Sequence, residues 1–271
     1  MSKPLEPNTH IITWEDFKSK VSEHIKSDFG GRICRGQSNS NWPLMTSYHR
    51  NPCDVELPAY FKFIEEHMAD VVGTVENRRI NHTDKDENGA FLAYLQHHGF
   101  PTPLLDWTYS PYIAAYFAFS DVNDQNPASD YISIFVFDYY KWSNQLPQIS
   151  DYNYKEPHVS ILRPKILGNK RQHVQQASTY TWTNVADIGK HIRLIEKNTS
   201  EKYLEVYNIS IQEKYHVMSE LEMMGITSFS LFGTVDSLCR FYKDMLFRRD
   251  NNGVSTYTKL IERIQKINPP K

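Results

Sequence analysis

Leu104-Leu105-Asp106-Trp107-Thr108-Tyr109-Ser110-Pro111-Tyr112-Ile113-Ala114-Ala115-Tyr116-Phe117-Ala118-Phe119 is the stretch on which the fold reading turns. Pro101 and Pro103 stop any helix ahead of it, so Leu104 to Thr108 reads as short and extended. Ser110-Pro111 supplies an N-cap and a first helical residue. Tyr112 to Phe119 is apolar all round, which requires a helix buried on every side. At eight residues it is far too short to span a bilayer.

Upstream, Thr13 opens a helix with Asp16 three residues on, a variant of the capping box, and Trp14, Phe17 and Val21 share one face. Gly30-Gly31 ends that segment. A strand from Arg32 to Arg35 follows and turns at Gly36. Pro58 suits the first turn of a helix whose Phe61, Ile64, Met68 and Val71 keep helical spacing. Asn81 to Asn88 is polar and reads as a loop; Phe91, Leu92 and Leu95 mark a helix that stops near Gly99.

Downstream, Asp121 to Asp130 is a polar surface loop. Tyr131 to Phe137 is apolar on both faces, as a central strand covered on both sides should be. His158 to Leu167 reads as a strand interrupted at Pro164. Ser178 to Thr183 and Tyr203 to Ile211 are β-branched and aromatic, hence strands. Gln212 to Met224 looks helical with Gly225 past its end, Thr234 caps a helix carrying Leu238, Phe241 and Met245, and Tyr257 to Ile267 is a last amphipathic helix. Helices cluster early and late and strands in the second half, without βαβ alternation: an α+β chain.

The 271 residues suffice for one large domain, or for one domain plus a small subdomain. A net charge of −2 argues against duplex nucleic acid as a partner, because phosphate-driven binding needs a basic excess. Cys34, Cys53 and Cys239 are odd in number and widely spaced, so they read as reduced thiols, fitting the cytoplasm, with neither a disulfide framework nor a zinc knuckle. The N-terminus lacks the apolar core of a signal peptide. No GxGxxG, GxxxxGK[ST], GxSxG or HExxH occurs, which sets aside dinucleotide-fold dehydrogenases, P-loop enzymes, α/β-hydrolases and zincins.

Two clusters carry chemistry. Arg35 at a strand end beside Gly36, with Gln37 following, suits capture of phosphate or carboxylate, although an Arg that merely ties loops together is the commoner case. Gln96 to Thr108 interleaves polar with bulky apolar residues. His97 and His98 are adjacent and cannot both face one pocket, and they lack the spacing of a metal pair. Asp106 sits between Leu105 and Trp107 and needs a cationic partner, with Arg35 and Arg50 the candidates.

At these residues the chain resembles the FRG family, named for a Phe/Tyr-Arg-Gly motif. Cys34-Arg35-Gly36-Gln37 with Trp42, Leu44 and Arg50 is similar to its opening block, Cys34 replacing the usual aromatic. Gln96-His97-His98-Gly99-x-Pro101-Thr102-x-Leu104-Leu105-Asp106-Trp107-Thr108, then Ala114, Phe117 and Ala118, is similar to its central block. Pro103 stands there for the common Arg and His98 for Tyr. Arg171 with Gln175 resembles a looser third block.

The resemblance implies an ADP-ribosyltransferase-like split mixed sheet with surrounding helices. It divides the chain into a helical extension at 1–28, an FRG domain at 29–250 and a C-terminal helix at 251–271 packed on the domain. It further implies NAD as substrate, no metal, and Arg35, His97, Asp106, Thr108 and Gln175 as catalytic candidates. Arg35, Gly36, Gln37, Thr102, Trp107 and Thr108 become the candidates for holding NAD or a related nucleotide. The third element of that superfamily usually supplies a Glu, whereas Gln175 and Gln176 are amides, and Glu220 and Glu222 fall in an expected helix. The function expected is an ADP-ribosyltransferase or NAD glycohydrolase, of the kind that serves as a toxin or phage-defence effector, its macromolecular acceptor unknown. The alternative is a non-catalytic nucleotide- or nucleic-acid-binding module.

Overall fold

The computed structural model describes residues 9–51, 55–75, 81, 84–149, 151, 153–163 and 178–247, and in the C-terminal segment 254–255, 257–258, 261–262 and 266. Among them seven strands form one mixed sheet. They are β1 (Thr9–Ile11), β2 (Arg32–Gln37), β3 (Leu104–Thr108), β4 (Tyr131–Asp138), β5 (Val159–Leu162), β6 (Ser178–Thr183) and β7 (Leu204–Ser210), in the order β1-β7-β4-β2-β3-β6-β5. Every neighbouring pair is antiparallel except β1 with β7.

Helices cover both faces, giving the α+β arrangement that the element order predicts. β4 shows why its residues are apolar throughout. Ile132, Ile134 and Val136 face a core made with α1 (Trp14–Asp28), α6 (Pro111–Ser120) and α9 (Lys214–Met223). Phe135 and Phe137 face a second core with α7 (Tyr139–Gln145) and α8 (Ile188–Thr199). A third core packs α3 (Leu57–Phe63), α4 (Ala69–Val75) and α5 (Lys85–His97) against Leu104, Tyr180 and Trp182. Two short helices, α2 (Ser47–Arg50) and α10 (Ser228–Phe232), and the longer α11 (Val235–Phe247) are also present.

Local chemistry sets the ends. The Ser110 hydroxyl accepts from the Ile113 N–H at 3.2 Å with Pro111 next, and α6 then buries Ile113, Ala114, Ala115, Tyr116, Ala118 and Phe119. Thr13 and Asp16 cap α1 reciprocally, through Asp16 N–H to Thr13 Oγ1 at 3.1 Å and Thr13 Oγ1 to Asp16 Oδ2 at 2.8 Å. Gly99, at φ +86, takes the left-handed turn that ends α5.

The structure departs from the sequence reading at several points. β2 does not turn at Gly36; it continues to Gln37 because β4 still offers Ile134 and Ser133 as pairing partners there. α5 begins at Lys85, inside the stretch read as a loop. β1, α2, α7, α8 and α10 have no counterpart in the sequence reading. α8 had a signal: Asp187 as N-cap, followed by Ile188, Ile192 and Ile195 at helical spacing. Residues 164–167 of the expected strand and most of the expected helix at 257–267 lie outside the described residues. Among the described residues, no helix is long and apolar enough to cross a membrane.

His158 makes stability depend on pH. It is 6% exposed, and its Nδ1 lies 3.1 Å from the Glu156 carbonyl. A carbonyl only accepts, so Nδ1 carries the proton, and the buried Nε2 keeps a lone pair with no partner among the described residues. Burial holds this imidazole below its ordinary value, against the opposing pull of the Glu156 carbonyl. Burial lowers His49 and His191 as well. The unfolded chain therefore takes up protons near pH ~6.5 that the folded chain refuses, and stability falls as pH drops through that value. Urea midpoints should decline from pH ~7.5 to ~5.5, with a shallower slope in His158→Phe. A midpoint flat across that window would contradict this account.

Candidate functional site

The site lies where the sheet nearly parts. β2 pairs with β4 along its whole length, from Arg32↔Asp138 to Gln37↔Ser133, and β3 pairs with β6 from Leu104 to Thr108. Between β2 and β3, however, the register is the single pair Cys34↔Thr108. One residue on, the Arg35 side chain takes over the linkage. Its Nη1 donates to the Asp106 carbonyl oxygen at 2.7 Å and pairs with the Asp106 carboxylate, also at 2.7 Å. This Asp106 carbonyl is bonded by a guanidinium where a continuous ladder would have used a backbone N–H.

The opening holds a cavity of about 240 Å³, lined among others by Arg35, Gln37, Trp42, Arg50, Asp106 and Phe117. The loop after β2 is held in place: Gln37 Nε2 donates to the Trp42 carbonyl at 3.2 Å, and the Ile188 N–H donates to the Leu44 carbonyl at 2.9 Å. Trp42 is thereby left half-exposed at the rim. α2 follows, capped by Thr46, which accepts from the His49 N–H at 3.3 Å, and Arg50 is its last residue.

The charges are uneven. The Asp106 side chain keeps over half its surface open to solvent, yet it stands in a concave site where desolvation raises its pKa. The Arg35 charge and hydrogen bond, a backbone N–H and the Arg50 charge outweigh that, so the carboxyl lies below the ordinary Asp value and is ionised at neutral pH. Desolvation, and then the neighbouring Arg35, lower Arg50. Burial pushes the Cys34 thiol far up, so Cys34 is no thiolate nucleophile.

Arg35, Gly36, Gln37, Asp106, Trp107 and Thr108 all line the cavity. Their roles differ from the expectation in places. Gly36 is pressed against α6: an added Cβ would stand 1.9 Å from the Ala114 carbonyl oxygen and 2.7 Å from the Ala118 nitrogen. The Trp107 indole points away into the core, where Nε1 donates to Thr181 Oγ1 at 3.0 Å and the ring packs on Phe137. Trp42, half-exposed, is instead the tryptophan face the cavity offers. Thr108 Oγ1 accepts from the Ser110 N–H at 3.1 Å and helps start the turn into α6.

Thr102 and His97 are not among the cavity's lining residues. Thr102 is fully buried, bonds Gln96 Oε1 through its hydroxyl, and meets α2 through Ser47 Oγ at 3.0 Å and the Tyr48 N–H at 3.1 Å. His97 is exposed at the end of α5, packed edge-on to His98, and is lowered by partial burial and by that neighbour. Gln175 lies outside the described residues. Glu220 sits in α9, bonded to Trp14 Nε1 and, at 2.7 Å, to Lys18. The sequence offers Arg50 as a motif residue and a partner for Asp106, and Trp42 as a motif residue and, beside Trp107, a stacking surface; it does not single out either one.

Among the described residues, the one set of three clustered metal-type ligands is Glu15, His216 and Glu220. The Lys18 ammonium already bridges its two carboxylates at 2.8 and 2.7 Å. The cleft itself can do three things: hold an anion on guanidinium groups, stack a ring on Trp42, and present an ionised carboxylate to a developing positive charge.

No curated protein and no solved structure matches the chain. Residues 31–127, which supply every lining residue of the cleft, match the family model of the FRG domain, and that match supports the FRG family for this chain.

Proposed function

We propose that the cleft between β2 and β3 binds NAD or a related nucleotide and cleaves its nicotinamide–ribose bond, as an NAD glycohydrolase or ADP-ribosyltransferase. The observation that carries this reading is the ionised Asp106 carboxylate lining a hollow that also offers a half-exposed tryptophan, Trp42. Breaking the bond sends its electron pair to the nicotinamide nitrogen and leaves a cationic ribose, much as in glycoside hydrolysis. Asp106 faces that charge, and water or an acceptor hydroxyl then adds to the ribose and gives up a proton to solvent. A volume of about 240 Å³ is below the ~300–1,000 Å³ of common ligand pockets, so it suits the reacting part of a dinucleotide with the remainder on the rim.

The rival reading is a receptor that binds nucleotide and leaves it intact. It is favoured by the grip on Asp106, which Arg35 holds at 2.7 Å and Gln96 Nε2 at 3.4 Å. Free nicotinamide released from NAD by the purified protein decides between them, with calorimetry reporting binding. Asp106→Asn should stop release while NAD still binds. Binding without release establishes the receptor, and neither heat nor nicotinamide removes both readings.

A further inference from the structure

We infer that Arg50, and not Arg35, takes the anionic group of the ligand, and that this group is a phosphate or pyrophosphate. The inference rests on the nucleotide reading of the same cleft and names the residue and the chemistry within it.

Charge pairing leads there. Arg35 is committed: its Nη1 serves both the carbonyl and the carboxylate of Asp106, and only 14% of its side chain is exposed. The other acid lining the cavity, Asp121, is held by Arg240 at 2.9 Å. Both carboxylates of the hollow therefore already have a cation. Arg50 lines the same hollow and, among the described residues, has no carboxylate at ion-pair distance. The cleft carries one guanidinium more than it has anions to match. Partial burial already weakens the hold of Arg50 on its proton, as does the positive Arg35 beside it. The Asp106 charge offsets only part of this, and an anion arriving there would add to that offset.

Placement supports the assignment. Arg50 hangs from a helix of four residues that would not hold its shape alone, and the chain pins that helix to the turn before β3. The Tyr48 N–H donates to the Thr102 carbonyl at 3.1 Å, the Thr102 N–H donates to Ser47 Oγ at 3.0 Å, and Thr46 caps the first turn. Thr102, expected to touch the ligand, acts instead by fixing the backbone that carries Arg50 into the hollow that Asp106 also lines. A guanidinium on a fixed base loses less freedom on binding, and its fork matches two phosphate oxygens. On Arg35, Nη1 is already given to Asp106 of β3.

The test uses calorimetry with NAD, ADP-ribose, inorganic pyrophosphate and the phosphate-free nicotinamide riboside. Arg50→Ala should weaken the three phosphorylated probes by about tenfold to a hundredfold, the range for losing a charge-assisted hydrogen bond, and leave the riboside unchanged. Its melting temperature should match the wild type, since no ion pair is lost. Raised salt should shrink the difference. Phosphorylated probes that bind Arg50→Ala as tightly as wild type overturn the inference, as does an equal loss for the riboside. Pyrophosphate separates this outcome from the fate of the function. Arg50-dependent pyrophosphate binding without nicotinamide release upholds the anion seat and removes the cleavage reaction. Nicotinamide release that is indifferent to Arg50 does the reverse.

Discussion

Replacing Gly36 by alanine should cost the protein about 3 kcal/mol or more and lower its urea midpoint accordingly, before any ligand is added. The added methyl would lie 1.9 Å from the Ala114 carbonyl oxygen, 2.7 Å from the Ala118 nitrogen and 3.0 Å from the Ala114 carbonyl carbon. All three are backbone atoms of α6, which no rotamer change can move aside. α6 is also buried on nearly every side between the sheet and α9, so it has nowhere to retreat. Either β2 bends away from β4 or the helix lifts off its core, and each forfeits packing around Ile134, Phe119 and Cys34. An alanine variant that melts like the wild type would show that Gly36 is not the contact point between strand and helix.

Arg35→Ala should lose about 2–3 kcal/mol of stability together with ligand response. The figure lies between that of an exposed pair, worth under about 1 kcal/mol, and a fully buried one at about 3–5 kcal/mol, because Arg35 is mostly enclosed and Asp106 is not. Two partners are abandoned at once, the Asp106 carbonyl and its carboxylate, at the place where β2 and β3 share only the Cys34↔Thr108 pair. The Asp106 carboxyl would then rise toward its ordinary value. If the cleft cleaves NAD, residual activity should lose its acid limb at higher pH than in the wild type, which general loosening would not produce. Unchanged denaturation midpoints in Arg35→Ala would mean that the guanidinium is not a clamp between the strands.

Much of the local architecture was legible. Ser110-Pro111 before an apolar run, Thr13 with Asp16, and the two-sided apolar pattern of Tyr131 to Phe137 each state their structure through neighbours a few residues away. Where reading failed, the deciding contact was distant. Gly36 reads as a turn, but β4 supplies pairing partners about a hundred residues further on, and the strand continues. Trp107 and Trp42 are equally plausible stacking surfaces in the sequence. The side to which Trp107 turns depends on the register of β3 with β6, which sets Thr181 under its indole nitrogen.

The sequence by itself determined the fold class, the strand–turn–helix at 104–119, and the two blocks whose polar residues had to find partners. Only the tertiary structure decided which partner each one took: Arg35 with Asp106 across 71 positions, Thr102 with α2, and Arg50 with no carboxylate at ion-pair distance among the described residues. Capping and periodicity act over one or two turns and are written in consecutive residues. Pairing of charges depends on which strands become neighbours and on which face each side chain emerges, and neither exists until the sheet has closed.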